Sequence, residues 1–119
     1  MQDFKKLKVW EKAHLLALAV HRVTTSFPKE ELHGLTSQTR RAAISVPSNI
    51  AEGCGRGGRA ELGRFLRIAT GSASELEYHL ILAHDLTLLN IADHKRLAGQ
   101  VVEIKQMLAA LIRKLKTDD

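Results

Sequence analysis

With 119 residues, 45% of them apolar and 26% charged, the chain has the size and composition of one globular domain, which argues against a disordered polymer or a pair of domains. A formal net charge of +5 and a pI near 9.7 point to polyanionic partners or to self-association through complementary patches. The single cysteine, Cys54, excludes an internal disulfide and suits a reducing cytosol.

Four segments carry helical periodicity. In residues 4–27, Val9, Ala13, Leu16, Val20, Val23 and Phe27 step by four and three onto one face, widened by Trp10 and Ala17, and Pro28 ends the run. Residues 31–52 place Leu35, Ala42, Val46 and Ile50 on a second apolar face. Pro47 lies inside this helix and deprives the Ala43 carbonyl of its partner, so a kink is expected there, eased by Ser45, Ser48 or Asn49. Four glycines among residues 53–58 predict a loop over 53–59, because each costs backbone entropy in a helix. Residues 60–89 repeat the four-three step from Leu62 through Leu66, Ala69, Ala73, Leu76, Leu80 and Ala83 to Thr87. Asn90 to Asp93 forms a turn with Asp93 as the expected N-cap, and a last helix to about residue 116 carries Leu97, Val101, Ile104, Leu108, Leu111 and Leu115. Short connections between long helices predict an all-α, antiparallel up-down four-helix bundle, residues 1–119 forming the single domain.

No run approaches the ~20 apolar residues that span a bilayer. The opening Met1-Gln2-Asp3-Phe4-Lys5-Lys6 lacks the apolar continuation of a signal peptide, so a cytoplasmic protein with no membrane partner is expected.

Charge is unevenly distributed. Residues 40–67 hold Arg40, Arg41, Arg56, Arg59, Arg64 and Arg67 against Glu52 and Glu61 alone. Residues 68–94 hold Glu75, Glu77, Asp85 and Asp93 with no lysine or arginine. Arg40, Arg56, Arg59, Arg64 and Arg67 are the candidate nucleic-acid contacts, since guanidinium forks match phosphate geometry. Large aromatics are scarce and Trp10 reads as core, so any such contact would go to the backbone rather than to bases. A second motif comprises Arg41, Ser45, Pro47, Asn49, Glu52 and Gly53, of which Arg41, Ser45, Asn49 (or Ser48) and Glu52, with Arg56 as a further candidate, line one side of the second helix. It reads either as a ligand contact or as a structural network in which Asn49 and Glu52 bond backbone and a neighbouring arginine.

Chemistry has little to work with. There is no His-x-x-x-His pair, and His79 and His84 stand five apart, so neither a metal nor any other cofactor is expected. Cys54 lies near Arg56, which would lower its thiolate pKa, but no histidine is close in sequence and the thiol reads as incidental. The glycine loop lacks the Gly-Lys-Ser/Thr of a phosphate-binding loop, and no acid, base or nucleophile constellation remains, so no enzyme is expected.

One set of motifs is specific. The opening Phe4-x-x-Leu7-x-Val9-Trp10, Phe27-Pro28-x-x-Glu31, Gly34-Leu35-Thr36-x-Gln38 and above all Ser45-x-Pro47-x-Asn49-Ile50-Ala51-Glu52-Gly53 resemble the bacterial 23S rRNA intervening-sequence proteins. Gly57-Gly58 departs from that pattern, which more often has a serine-type residue there. That family is similar to the accessory proteins of diversity-generating retroelements, which are basic, pentameric and nucleic-acid-binding. The resemblance implies a homopentamer that engages RNA or DNA. The alternative is an assembly subunit that binds another protein and makes no direct nucleic-acid contact.

Overall fold

Rows of leucine, alanine and valine at four-three spacing cannot bury themselves singly, and the chain pairs them by folding back on itself three times. The computed structural model describes residues 3–117. Within these the helices are α1 Lys8–Thr24, α2 Ser37–Gly55, α3 Arg59–Asp85 and α4 Ile91–Thr117, with no strand among them. They make an all-α four-helix bundle in which sequential helices are neighbours and α1 closes against α4. The envelope is 48 × 23 × 20 Å. The interior is aliphatic: Leu16, Val20, Val46, Ile50, Leu66, Leu76, Leu80, Leu97, Val101, Ile104 and Leu108 are all at most 1% exposed. No helix among the described residues is long and apolar enough to cross a membrane.

The helix ends differ from the sequence expectation in instructive ways. The first segment is two pieces: a 3-10 turn, Phe4–Lys6, capped by the Asp3 carboxylate on the Lys5 amide at 3.0 Å, then an extended Leu7, then α1. The helix stops at Thr24 rather than Phe27, because the hydroxyls of Thr24, Thr25 and Ser26 donate back to the carbonyls of Val20, His21 and Val23. Phe27 is buried nonetheless, from the connection.

Before α2, a π-helical turn spans Leu32–Thr36, with non-helical angles at Gly34 (φ −115°, ψ −109°). From Ser37 the helix runs uninterrupted through the buried Pro47. The predicted loop over 53–59 is mostly helix. Gly53, Cys54 and Gly55 complete α2, and the chain turns on Arg56, Gly57 and Gly58. At Gly53 α2 and α3 approach tightly: a Cβ there would lie 2.8 Å from Phe65 Cβ. Packing against α3 thus offsets the glycine entropy that argued for a loop. Gly57 turns the chain with φ 86°.

α3 ends at Asp85, short of Leu89, because Thr87 takes a left-handed φ of 63°. The Leu88 amide then donates to the Ala83 carbonyl at 2.9 Å, closing the helix end, and Leu89 enters the core from the turn. The cap of α4 is Asn90 rather than Asp93. The Asn90 Oδ1 accepts from the Asp93 amide at 2.8 Å, and the Asn90 side-chain amide donates to the Asp93 carboxylate at 3.2 Å.

Candidate nucleic-acid interface

The up-down topology brings the C-terminal end of α2, the N-terminal end of α3 and the C-terminal end of α4 to one tip of the bundle. Four of the five candidate arginines stand there. Arg59 and Arg67 line an open cavity of about 410 Å³ together with Gly63, Leu115 and Lys116. A second opening of about 370 Å³ joins it through Arg59 and Leu115 and reaches back to Gly53 and Cys54. Lys116, in the last turn of α4, is far from the arginine cluster in sequence, and only the fold shows that it shares a cavity with Arg59 and Arg67.

Arg56 and Arg64 hold more defined poses. Arg56 Nη2 donates to Glu52 Oε2 at 2.7 Å, and its guanidinium lies 5.1 Å from the Phe65 ring centre. Arg64 forks onto both oxygens of Glu61, at 2.9 and 3.2 Å, and lies 4.5 Å from the same ring. Phe65, itself only 6% exposed, thus serves two cations at once. The Arg64 hydrogen bond holds the Glu61 carboxyl below its ordinary range and raises Arg64 in turn. Both ion pairs are solvent-exposed, a setting in which water and salt weaken such pairs, so phosphate oxygens can compete for these guanidiniums.

Arg40 belongs elsewhere. It sits sixteen residues before Arg56 on α2, about 24 Å away along the helix. Its Nε donates to Thr24 Oγ1 at 2.8 Å and its Nη2 to the His21 carbonyl at 3.3 Å, so it ties the end of α1 to the start of α2. The fold therefore separates it from the other four.

The polar stripe of α2 is split in the same way. The Ser45 and Ser72 hydroxyls meet at 2.7 Å across the α2–α3 seam, and Asn49 Nδ2 donates to the Ser45 carbonyl at 2.8 Å and its hydroxyl at 2.9 Å. Those bonds go to Ser45 rather than to the Ala43 carbonyl that Pro47 leaves without a donor. Glu52 is taken by Arg56, while Arg41 is exposed and makes no hydrogen bond or ion pair with the described residues.

Cys54 is buried at the foot of α2 rather than lying in a loop, and burial, helped by Asp3, pushes its thiol pKa up, opposite to the shift Arg56 alone would give. Among the described residues no three His, Cys, Asp or Glu side chains converge where a metal could sit.

One feature was missed in the sequence. Trp10, assigned to the core, is half-buried and stacks on His14 (5.2 Å between ring centres, 3° between planes) with Phe4 against its edge. With Leu18, Ile44 and Pro47 they wall an apolar groove of about 400 Å³ between α1 and α2. Ile44, an isoleucine that falls off the apolar row of Ala42, Val46 and Ile50, was the available signal.

The model for the 23S rRNA-intervening sequence protein family matches residues 5–110. No curated protein matches the sequence. The fold is similar to the crystal structure of a protein of unknown function from the S23 ribosomal protein family of Bacteroides thetaiotaomicron VPI-5482, with a TM-score of 0.79 and 22% identity over 87% of this chain and 97% of that one.

Proposed function

The chain belongs to the 23S rRNA-intervening sequence protein family, and on that premise we propose that it is a non-catalytic, cytoplasmic scaffold, assembled as a homopentamer, whose basic tip engages the phosphate backbone of RNA or DNA. The observation that carries this reading is the gathering of Arg59, Arg67 and Lys116, from the two halves of the sequence, around one open cavity, with Arg56 and Arg64 beside it. Converging cations without a stacking platform suit backbone contacts, which position a protein without reading sequence.

Fluorescence anisotropy with a labelled RNA hairpin and a DNA duplex over a salt series tests it. Affinity falls on a log–log plot with a slope of about −0.9 per duplex phosphate neutralised. Arg59→Glu combined with Arg67→Glu flattens that slope and weakens binding to both nucleic acids alike. An absence of binding to either at low salt removes the reading. It would leave the second one, an assembly subunit that contacts only protein, which draws support from the neutralisation of Arg56 and Arg64 by Glu52 and Glu61.

A further inference from the structure

Among the outward apolar faces of the described residues, two carry charges of opposite sign. The first is the α1–α2 groove, with Leu18 38% and Ile44 55% exposed on its walls. Above it on α2 stands Arg41, exposed and without a partner among the described residues. The second is the outer side of α3, where Ile68 and Tyr78 are 40% and 58% exposed. Between these two lie Gly71, where a Cβ would meet nothing within 4 Å, and Glu75, exposed and engaged only by His79 Nε2 at 3.6 Å. One face is apolar with a cation, the other apolar with an anion.

Their heights correspond. The Ser45–Ser72 contact fixes one level of α2 against one level of α3. The two helices run antiparallel, so moving back one turn from Ser45 to Arg41 corresponds to moving on one turn from Ser72, to Glu75 and Leu76. Ile44 stands level with Gly71 to Glu75. Pro47 and Ser48, on the groove wall, stand level with Ile68 to Thr70. Two copies set side by side and parallel keep these levels.

We propose that the α1–α2 groove of one copy receives the outer face of α3 of a second copy: Ile68 enters the groove, Ile44 lies over Gly71, and Arg41 pairs with Glu75. This rests on the assembled state proposed above and specifies how it is built. The two faces are different surfaces, so the contact is heterologous: every copy gives one face and receives the other, and in the homopentamer proposed above these contacts close into a ring instead of running on as an open filament. Gly71 has no role inside the single copy, and here it leaves the flat spot that the protruding Ile44 requires. Arg41 gains the carboxylate that its own bundle does not offer it.

Light scattering after size-exclusion chromatography reads the result. The unaltered chain elutes as a closed oligomer, while Ile44→Glu and Ile68→Glu each give monomers. Both positions are exposed, so both variants keep the helical circular-dichroism signal and a cooperative melt. Mixing these two variants gives a one-to-one dimer and nothing larger, because each retains one intact face. Arg41→Glu weakens assembly by roughly tenfold or more through like-charge contact, and the double variant Arg41→Glu with Glu75→Arg restores it. An unaltered chain that is monomeric at its highest soluble concentration overturns the assembled reading itself. An oligomer whose mass ignores Ile44→Glu and Ile68→Glu overturns only this pair of faces.

Discussion

The turns between α2 and α3 and between α3 and α4 both reverse the chain within a few residues, by opposite means. The first spends glycine freely: Gly57 supplies the positive φ, and Gly53, still helical, lets α3 press against the backbone of α2. The second contains no glycine at all. Thr87 is held in the left-handed region by the hydrogen bonds of its neighbours, with the Leu88 amide on Ala83 and the Thr87 amide on His84. A β-branched residue in that region costs about 1–2 kcal/mol relative to its preferred conformations. The tip with candidate function is therefore the one with relaxed backbone and tight packing, and the far tip carries the strain.

The largest expected effect separates two glycines of the first turn. Gly53→Ala puts a Cβ 2.8 Å from Phe65 Cβ and 3.2 Å from Leu62 Cδ1, and the resulting overpacking costs about 2 kcal/mol even after the helix propensity of alanine is counted. Gly55→Ala, two residues on, meets nothing within 4 Å and gains up to about 1 kcal/mol. Urea denaturation of the two variants should shift the midpoint in opposite directions. Equal shifts would mean that the close approach at Gly53 is not what the packing of α2 on α3 depends on.

That pair also shows why this region was misread in sequence. Composition sees four glycines and infers a loop, since the entropy of glycine is a local property. The packing that keeps Gly53 helical comes from Phe65 and Leu62 on the next helix, and nothing local announces it. The bundle itself was legible, because the leucine rows of α3 and α4 repeat through several turns and period is robust to errors at the ends. The ends were not legible: Asn90 and Asp93 are both good caps, and only the hydrogen bond decides between them. The candidate site was legible in part. Arg56, Arg59, Arg64 and Arg67 cluster in sequence and in space. Arg40 shares the sequence cluster but lies at the other end of a 19-residue helix, and Lys116 joins the site only through the topology.

The second turn gives a smaller effect of the opposite sign. Thr87→Gly relieves the left-handed strain, and the gain exceeds the extra unfolded-state entropy of glycine by about 0.5–1 kcal/mol. A calorimetric melting temperature above that of the unaltered chain is the expected result. A lower one would show that the Thr87 side chain contributes more to the turn than its backbone strain takes away.

The smallest effect on stability brings the comparison back to the basic tip, where the pair of Glu61 and Arg64 is exposed and its hold on Arg64 matters more than its strength. The arginine keeps the Glu61 carboxyl below its ordinary value of 4.5. A group depressed on folding contributes stability above its unfolded pKa and loses it as pH falls through the folded one. Glu61→Gln should therefore lower the melting temperature slightly at pH 7, and the difference should shrink as pH falls below 4.5, vanish once the pH is below the depressed folded value, where the carboxyl is protonated in both states, and shrink with added salt. A difference that stays unchanged throughout an acid titration would mean that the side chain acts through packing rather than charge. The same variant releases Arg64 from its carboxylate while Phe65 still holds the guanidinium in place, 4.5 Å from the ring centre. If the tip meets phosphates, Glu61→Gln binds the RNA hairpin more tightly than the unaltered chain at the same salt, so one substitution weakens the fold at neutral pH and strengthens the contact proposed for it.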